Sequence, residues 1–252
     1  MSEHLTTRAH WDETWAVPPR WRLPSSLSIA TRNMQRLLRP HVRPGMRVLE
    51  VGCAPGKMLA WVAVVLGART AGLDYSERGI GWCRTLFEKL GIPADFRCED
   101  IFRTTLPPAS YDLVYSSGLI EHFDDPREVV RAHVMLAKPG GKALLAIPDY
   151  GGLYGRLQRR LDPENLAIHN VSIMSPDALV RLAPADLSAT VRAYRAGRIS
   201  PWQLSLERAL PRLLARGTAY LVNVLGLLQP ADIPTVCPLL VLEITRRAEA
   251  AC

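Results

Sequence analysis

The sequence predicts an α/β protein built on a doubly wound, mostly parallel β-sheet. From Met46 onward, apolar runs of strand length alternate with stretches of helical length, which is the pattern of repeated βαβ units. The strand cores, among them VLEV, AGLD, DLVYS and ALLAI, are apolar at successive positions. Strands that helices cover on both faces have this composition. The 252 residues, 48% of them apolar, are enough for one substantial core.

The alternating region supplies five strands and three helices in chain order. The predicted strands are 47–51, 70–74, 95–98, 112–116 and 142–147. The helices between them are 57–66, 77–90 and 126–137. Ser76 is the expected N-cap of the second helix, and Pro126 after Asp125 starts the third. Residues 139–141, Pro-Gly-Gly, turn the chain into the fifth strand.

Outside this region the elements are less regular. A helix is predicted at 27–38, and the stretch 150–173 is rich in Gly, Arg and polar residues. Ser175 and Pro176 predict the start of a short helix, and strands follow at 189–194 and 239–245. Residues 200–230 have helical periodicity, which Pro211 divides into two helices.

Composition narrows the class of protein. The net charge of +7 is spread along the chain with no basic run interleaved with aromatics, so no nucleic-acid partner is expected. No apolar stretch is long enough for integral membrane association, and the N-terminus lacks the apolar region of a secretory signal, so a cytoplasmic protein is expected. The five scattered cysteines are interpreted as reduced thiols, with no disulfide framework or zinc site: Cys53, Cys83, Cys98, Cys237 and Cys252.

The most informative segment is 48–57, VLEVGCAPGK. It joins a strand directly to a helix through a turn of small residues, where backbone can approach a ligand closely and a helix N-terminus faces it. Asp74 ends the second strand and can accept hydrogen bonds from a ribose diol. Asp100 follows the third strand, where a carboxylate can take an adenine amine while Ile101 packs on the ring. These groups are expected at one edge of the sheet.

Here the sequence resembles a known family. The segments EVGCAPG (50–56), GLDYS (72–76), DLV through Glu121-His122 (112–122) and LAKPGG (136–141) are similar, in this order, to the motifs of class I S-adenosylmethionine-dependent methyltransferases. The resemblance covers about residues 46–148. It is strongest to the group with ubiquinone, menaquinone and natural-product methyltransferases. It implies a Rossmann-like seven-stranded sheet with an antiparallel last strand and a helical cap.

The resemblance also implies roles for single residues. Gly52, Cys53, Ala54 and Gly56 would form the turn at the methionine part of S-adenosylmethionine, although Ala54 replaces the family's middle glycine. The other implied cofactor-binding residues are Asp74 and Tyr75 at the ribose, Asp100 and Ile101 at the adenine, Ser116 and Ser117 near the amino acid end, and Trp11 and Trp15 in a closing N-terminal arm.

Glu50 lies within an apolar strand, where a carboxylate is costly unless it is hydrogen-bonded. The resemblance implies that it organises the turn and the cofactor's amino group. A dehydrogenase is disfavoured because the turn reads G-C-A-P-G and not G-x-G-x-x-G.

The general base is the least determined role. His122, after the fourth strand, and His169, in the region expected to cover the acceptor, are the two candidates, and the Glu-His pair equally fits an architectural role. Tyr150, Tyr154 and Glu121 are candidates for acceptor binding, with loop packing as the alternative for the tyrosines. Because Ser116 and Ser117 stand where metal-dependent relatives carry an acid, no metal is expected. His41 and His133 are assigned to a loop and a helix surface.

The chain is accordingly divided into three parts: an arm and helix over the cofactor (1–44), the cofactor-binding core (45–148), and an acceptor-covering region with a helical insertion and the last strands (149–252). The expected partner is a small, apolar or aromatic acceptor methylated on O, N or C. The leucine-rich stretch 201–229 fits an apolar cap, core packing or a homodimer contact. Two alternatives stay open, a silent cofactor-binding module and a peripheral membrane enzyme acting on a lipid or quinone.

Overall fold

The computed structural model describes residues 5–248 and contains one seven-stranded sheet. The strands are β1 (Arg47–Val51), β2 (Arg69–Asp74), β3 (Ala94–Cys98), β4 (Tyr111–Ser117), β5 (Ala137–Pro148), β6 (Ala189–Ala196) and β7 (Leu239–Arg246). Their order is β3-β2-β1-β4-β5-β7-β6. The pairs among β1 to β5 are parallel, and β7 is antiparallel to both β5 and β6. The predicted fold class, with its antiparallel last strand, is confirmed.

The strand order reverses between β1 and β4, and open α/β sheets bind ligands outside the carboxyl ends of the strands at such a point. The helices are α1 (Arg8–Thr14), α2 (Ile29–Leu38), α3 (Lys57–Leu66), α4 (Glu77–Leu90), α5 (Arg127–Leu136), α6 (Leu153–Leu161), α7 (Pro163–Ala167), α8 (Pro176–Val180), α9 (Leu206–Ala209) and α10 (Arg212–Leu228). They form two layers. Leu38, Leu59 and Ile80 belong to one core cluster, and Val129 and Val134 to the other.

Local signals place most helix ends where they were predicted. The Ser76 hydroxyl accepts a hydrogen bond from Gly79 N at 3.0 Å and caps α4, and the Ser175 hydroxyl caps α8, which has Pro176 at its first position. Pro211 separates α9 from α10. β5 is longer than predicted, because Ala137 pairs with Tyr111 before the Pro-Gly-Gly turn and Lys142 pairs with Leu113 after it. The turn therefore forms a bulge inside the pairing.

Histidine burial differs from expectation at His133. The side chain was assigned to a helix surface, but it is fully buried, with Nδ1 2.6 Å from the Val129 carbonyl of the preceding turn. Burial lowers the pKa of His133 to about 4, so the ring is neutral. His41 is also mostly buried, and lies 3.9 Å from the Glu243 carboxylate.

None of the helices in residues 5–248 is both long and apolar enough to cross a membrane. Cys53, Cys83, Cys98 and Cys237 are free thiols, and Cys252 lies outside the described residues. The Sγ atoms of Cys53 and Cys83 approach to 3.8 Å beside the glycine turn.

Candidate active site

A cavity of about 880 Å³ opens at the carboxyl ends of β1, β2 and β4. The N-terminal arm, α2 and the segment after β5 contribute the rest of its wall. Its volume is within the range of pockets that enclose small organic ligands. Most of the wall is apolar, and its polar side chains fall into two groups.

The glycine turn forms one side of the cavity. Gly52 and Gly56 have φ values of +71° and +83°, a conformation that side-chain-bearing residues rarely adopt. The Ala54 N–H donates to Asp74 Oδ2 at 3.0 Å, and Ser76 N–H donates to Oδ1 of the same carboxylate at 2.9 Å. Asp74 therefore ties the turn after β1 to the turn after β2.

Alanine at position 54 is accommodated by a glycine on the neighbouring helix. A Cβ built on Gly79 of α4 would lie 2.6 Å from the Ala54 methyl and 3.1 Å from Trp15 Cδ1. Contacts this short do not occur between real side chains, so the space for the methyl exists because Gly79 has none. The departure from the family pattern is thus matched by a second residue.

Asp74, the last residue of β2, and Asp100, two residues after β3, both line the cavity. Asp74 is buried, and burial raises its pKa while the N–H donors of Ser76 and Ala54 oppose the rise. Asp100 Oδ1 accepts from Phe102 N at 3.0 Å, which starts a short 3-10 turn and leaves Ile101 against the cavity as an apolar surface. Both carboxylates retain acceptor capacity toward a ligand.

Glu50 is a buried carboxyl on the cavity wall. It is 6% exposed, and its Oε2 atom has no hydrogen-bond partner among the described residues. Burial raises the pKa of Glu50 to about 8, and the nearby Asp74 adds to the rise while the Tyr115 hydroxyl opposes it. An unsatisfied acid in this position fits the ammonium group of an amino acid ligand.

The N-terminal arm is fastened over the cavity by polar contacts. Ser76 Oγ donates to Asp12 Oδ1 at 2.5 Å, and the Trp82 indole N–H donates to the Trp15 carbonyl at 2.9 Å. Leu5 N–H donates to the carbonyl of His122 at 2.8 Å, and Trp11 packs edge-on against the His122 ring. Both predicted tryptophans line the cavity.

A second group of wall residues consists of Glu121, His122, Tyr150 and His169, and is called the acceptor end of the cavity below. The His122 and His169 ring centroids are 4.6 Å apart, and Tyr150 contacts His169 edge-on at 5.2 Å. Burial lowers the pKa of His122 to about 4 and also lowers the pKa of His169, while it raises the pKa of Tyr150 to about 12. All three side chains are neutral near pH 7.

Three predicted site residues lie away from the cavity wall. Gly56 starts α3, and a Cβ there would meet Cys83 at 3.2 Å, so this glycine serves helix packing. Ser116 is 1% exposed within β4, where its side chain points away from the cavity that Ser117 lines. Tyr154 faces the other side of α6, where its hydroxyl accepts from Ser200 N and donates to the Val236 carbonyl.

Several residues of the wall were not predicted from the sequence. They come from helices and loops that tertiary packing brings over the sheet edge: Asn33, Met34, Gln158, Asn165, Trp202 and Gln203. None of them stands in a recognisable motif. Asn165 lies four residues before the candidate His169, and its carbonyl oxygen is 2.6 Å from His169 Nδ1.

Comparison with known proteins agrees with this geometry. A family model described as a methyltransferase domain matches residues 49–145. The ubiquinone biosynthesis O-methyltransferase of Bordetella bronchiseptica is 39% identical over 98 residues, which are 38% of this chain and 40% of that protein. The chain therefore matches well under half the length of this curated relative.

Solved structures resemble the chain over a larger part. One of them is the phosphoethanolamine N-methyltransferase 2 of Haemonchus contortus in complex with S-adenosyl-L-methionine, with a TM-score of 0.59 at 17% identity. The superposition covers 86% of this chain and 52% of the chain of that enzyme. A [4+2]-cyclase has a TM-score of 0.55 at 14% identity, and the superposition covers 87% of this chain and 82% of the cyclase chain. The fold alone therefore does not fix the reaction.

Residues 49–145 match a methyltransferase domain, and the fold around them is shared with solved methyltransferase structures. The domain model at residues 49–145 confirms the resemblance found in the sequence.

Proposed function

We propose that this chain is an S-adenosylmethionine-dependent methyltransferase that acts on a small, apolar acceptor. The observation that carries the proposal is the convergence of Glu50, Asp74 and Asp100, from three successive strands, on one cavity. The matched methyltransferase domain and the O-methyltransferase relative support it.

The cofactor fits the first group of polar side chains on the cavity wall. Glu50, with its unpartnered oxygen, would accept from the amino group, Asp74 from the ribose diol and Asp100 from the adenine amine. Trp11 and Trp15 would exclude water from above. When bound, S-adenosylmethionine supplies an activated methyl group on a sulfonium.

The protein's remaining task is to align the acceptor and to manage its proton. Transfer from a sulfonium is an in-line displacement, so positioning supplies most of the rate enhancement. A base works best with a pKa near the working pH, and the pKa of about 4 makes His122 a weak one. An acceptor that is already acidic, such as a phenol or enol, suits this end of the cavity.

The decisive experiment is calorimetric titration with S-adenosylhomocysteine, followed by a radiolabelled methyl-transfer screen over phenols, amines and acidic carbons. We expect binding to the wild type, at least tenfold weaker binding to Asp74→Ala, and turnover with a phenol. The exposed variant Glu88→Gln is the matched control. Absence of cofactor binding overturns the proposal, and binding without turnover favours the silent module.

A second candidate is a peripheral membrane enzyme whose acceptor is lipid-soluble. The observation that favours it is the exposed leucine face of α10, which packs on the 3-10 turn Pro201–Gln203. Trp202 of that turn lines the cavity and is 66% exposed. The apolar face thus lies beside the acceptor end of the cavity, where a lipid-soluble molecule would enter.

A further inference from the structure

Three potential metal ligands meet at the acceptor end of the cavity. Glu121, His122 and His169 each offer one ligand atom, and these atoms all lie within 4.8 Å of one another. Ligands at about 2.1 Å from one ion are at most about 4.2 Å apart. In tetrahedral geometry the ligand atoms would be about 3.4 Å apart, so the site would close around an ion with side-chain shifts of about an ångström.

Backbone contacts hold both imidazoles in the orientation that metal ligands adopt. His122 Nδ1 is 2.9 Å from the Ile168 carbonyl, and His169 Nδ1 is 2.6 Å from the Asn165 carbonyl. A carbonyl only accepts, so each Nδ1 carries the proton and each Nε2 presents a lone pair. Metal-ligating histidines characteristically donate their other N–H in this way.

Glu121 is a buried acid with no group nearby to compensate a negative charge. The side chain is fully buried, and neither carboxylate oxygen has a hydrogen-bond partner among residues 5–248. A buried acid without a partner is costly, and a bound cation would remove this cost.

The two segments that carry the ligands are fastened to each other. Asn170 N–H donates to the Glu121 carbonyl at 2.6 Å, and the Asn170 side chain donates to the carbonyls of Phe123 and Asp124 at 3.1 and 2.7 Å. His169 is therefore held beside Glu121 and His122 by contacts independent of any ligand. Such preorganisation is what a metal site requires.

We propose that Glu121, His122 and His169 bind a divalent first-row transition metal ion, with open coordination positions facing the cavity. Two imidazoles and one carboxylate are a donor set suited to zinc or iron(II). The ion would coordinate an acceptor oxygen and lower the pKa of its hydroxyl, whose proton passes to solvent. This last step rests on the proposed function and narrows the acceptor to an oxygen ligand, whereas metal binding does not depend on it. The proposed metal site replaces the expectation, drawn from the sequence, that no metal is bound.

The test is titration of chelator-treated full-length protein with Co²⁺, followed by visible absorption and by competition with Zn²⁺. We expect one equivalent of Co²⁺ to bind, with ligand-field bands that Zn²⁺ abolishes. His169→Ala and Glu121→Gln are expected to weaken binding by at least about 100-fold. The control is His10→Ala, which removes a cavity histidine outside the cluster.

Thermal unfolding of each variant separates loss of ligands from loss of fold, and His169→Gln provides a larger replacement if the alanine variant does not fold. Failure of the wild type to bind Co²⁺, or equal binding by folded ligand variants, overturns the inference. A parallel titration with S-adenosylhomocysteine keeps the two proposals apart. Cofactor binding without Co²⁺ binding rejects only the metal site, and the reverse result rejects only the proposed function.

Discussion

At the scale of single residues, the unusual groups are carboxyls kept away from water. Glu50 was singled out from the sequence because an acid within an apolar strand needs a reason, and the structure places it on the cavity with a raised pKa. Glu121 was identified only as an acceptor-side candidate. That its carboxyl group has no hydrogen-bond partner is known only from the tertiary structure, because it depends on every segment that packs around Glu121.

The raised pKa of Glu50 predicts that cofactor binding releases protons. The acid is largely protonated at pH 7 in the free protein, and a cationic amino group beside it favours the carboxylate. We expect affinity for S-adenosylhomocysteine to rise between pH 6 and about 8, with proton release detected by calorimetry in buffers of different protonation enthalpy. Glu50→Gln is expected to abolish the release and Glu88→Gln to preserve it. Equal release by Glu50→Gln would assign the proton to another group.

The pairing of Ala54 with Gly79 predicts coupled substitutions. Gly79→Ala places two Cβ atoms 2.6 Å apart, so we expect a loss of about 1–3 kcal/mol in the free energy of unfolding and weaker cofactor binding. Ala54→Gly in the same chain removes the clash and is expected to restore most of the loss. Denaturant unfolding of the four proteins measures the coupling. Additive effects of the two substitutions would contradict it.

At the scale of elements, strands and helix ends could be predicted far better than the packing of helices against the cavity. Strand periodicity and capping by Ser76 and Ser175 are local in the sequence. By contrast, α10 was assigned to a cap, a core or a dimer contact, and periodicity does not distinguish these. In the structure Gly226 lies against Ile29, while Leu213 and Leu228 are 82% and 75% exposed.

The exposed face of α10 predicts binding to anionic lipid. Leu213, Leu221 and Leu228 lie on one exposed stripe, and α10 itself contains two arginines and no acid. We expect co-sedimentation with phosphatidylglycerol vesicles that high salt weakens, and little with phosphatidylcholine. Leu213→Ser with Leu221→Ser is expected to abolish it, and Leu90→Ser on α4 is the control. A dimer that the same variants disrupt would instead assign this face to a second copy of the chain.

At the scale of the whole molecule, the buried acids and histidines give stability an asymmetric dependence on pH. Glu50 and Glu121 have raised pKa values, so their contribution is full below about pH 4.5 and is lost as pH rises toward about 8. His122 and His133 have lowered pKa values, so theirs is full above about pH 6.5 and is lost as pH falls toward about 4. The two effects oppose each other below pH 6.5.

We therefore expect the Tm of the metal-free, cofactor-free protein to fall between pH 6.5 and about 8, where the two acids are the ones among these four groups that titrate. Glu121→Gln, which is neutral throughout, is expected to make this fall shallower. Thermal unfolding followed by circular dichroism across this range measures the effect, with Glu88→Gln as control. A Tm that rises with pH in this window would contradict the assignment.

The sequence by itself determined the order of the motifs along the chain, the glycine turn, and the acids at or just after the ends of β1, β2 and β3. These features are readable because side-chain periodicity and short turns fix which residues reach the carboxyl edge of a parallel sheet. Only the tertiary structure decided that His169 meets Glu121 and His122, that Tyr154 faces away from the cavity and that α10 stays exposed. The physical reason is that these outcomes depend on packing between segments far apart in the chain, about which local propensity carries no information.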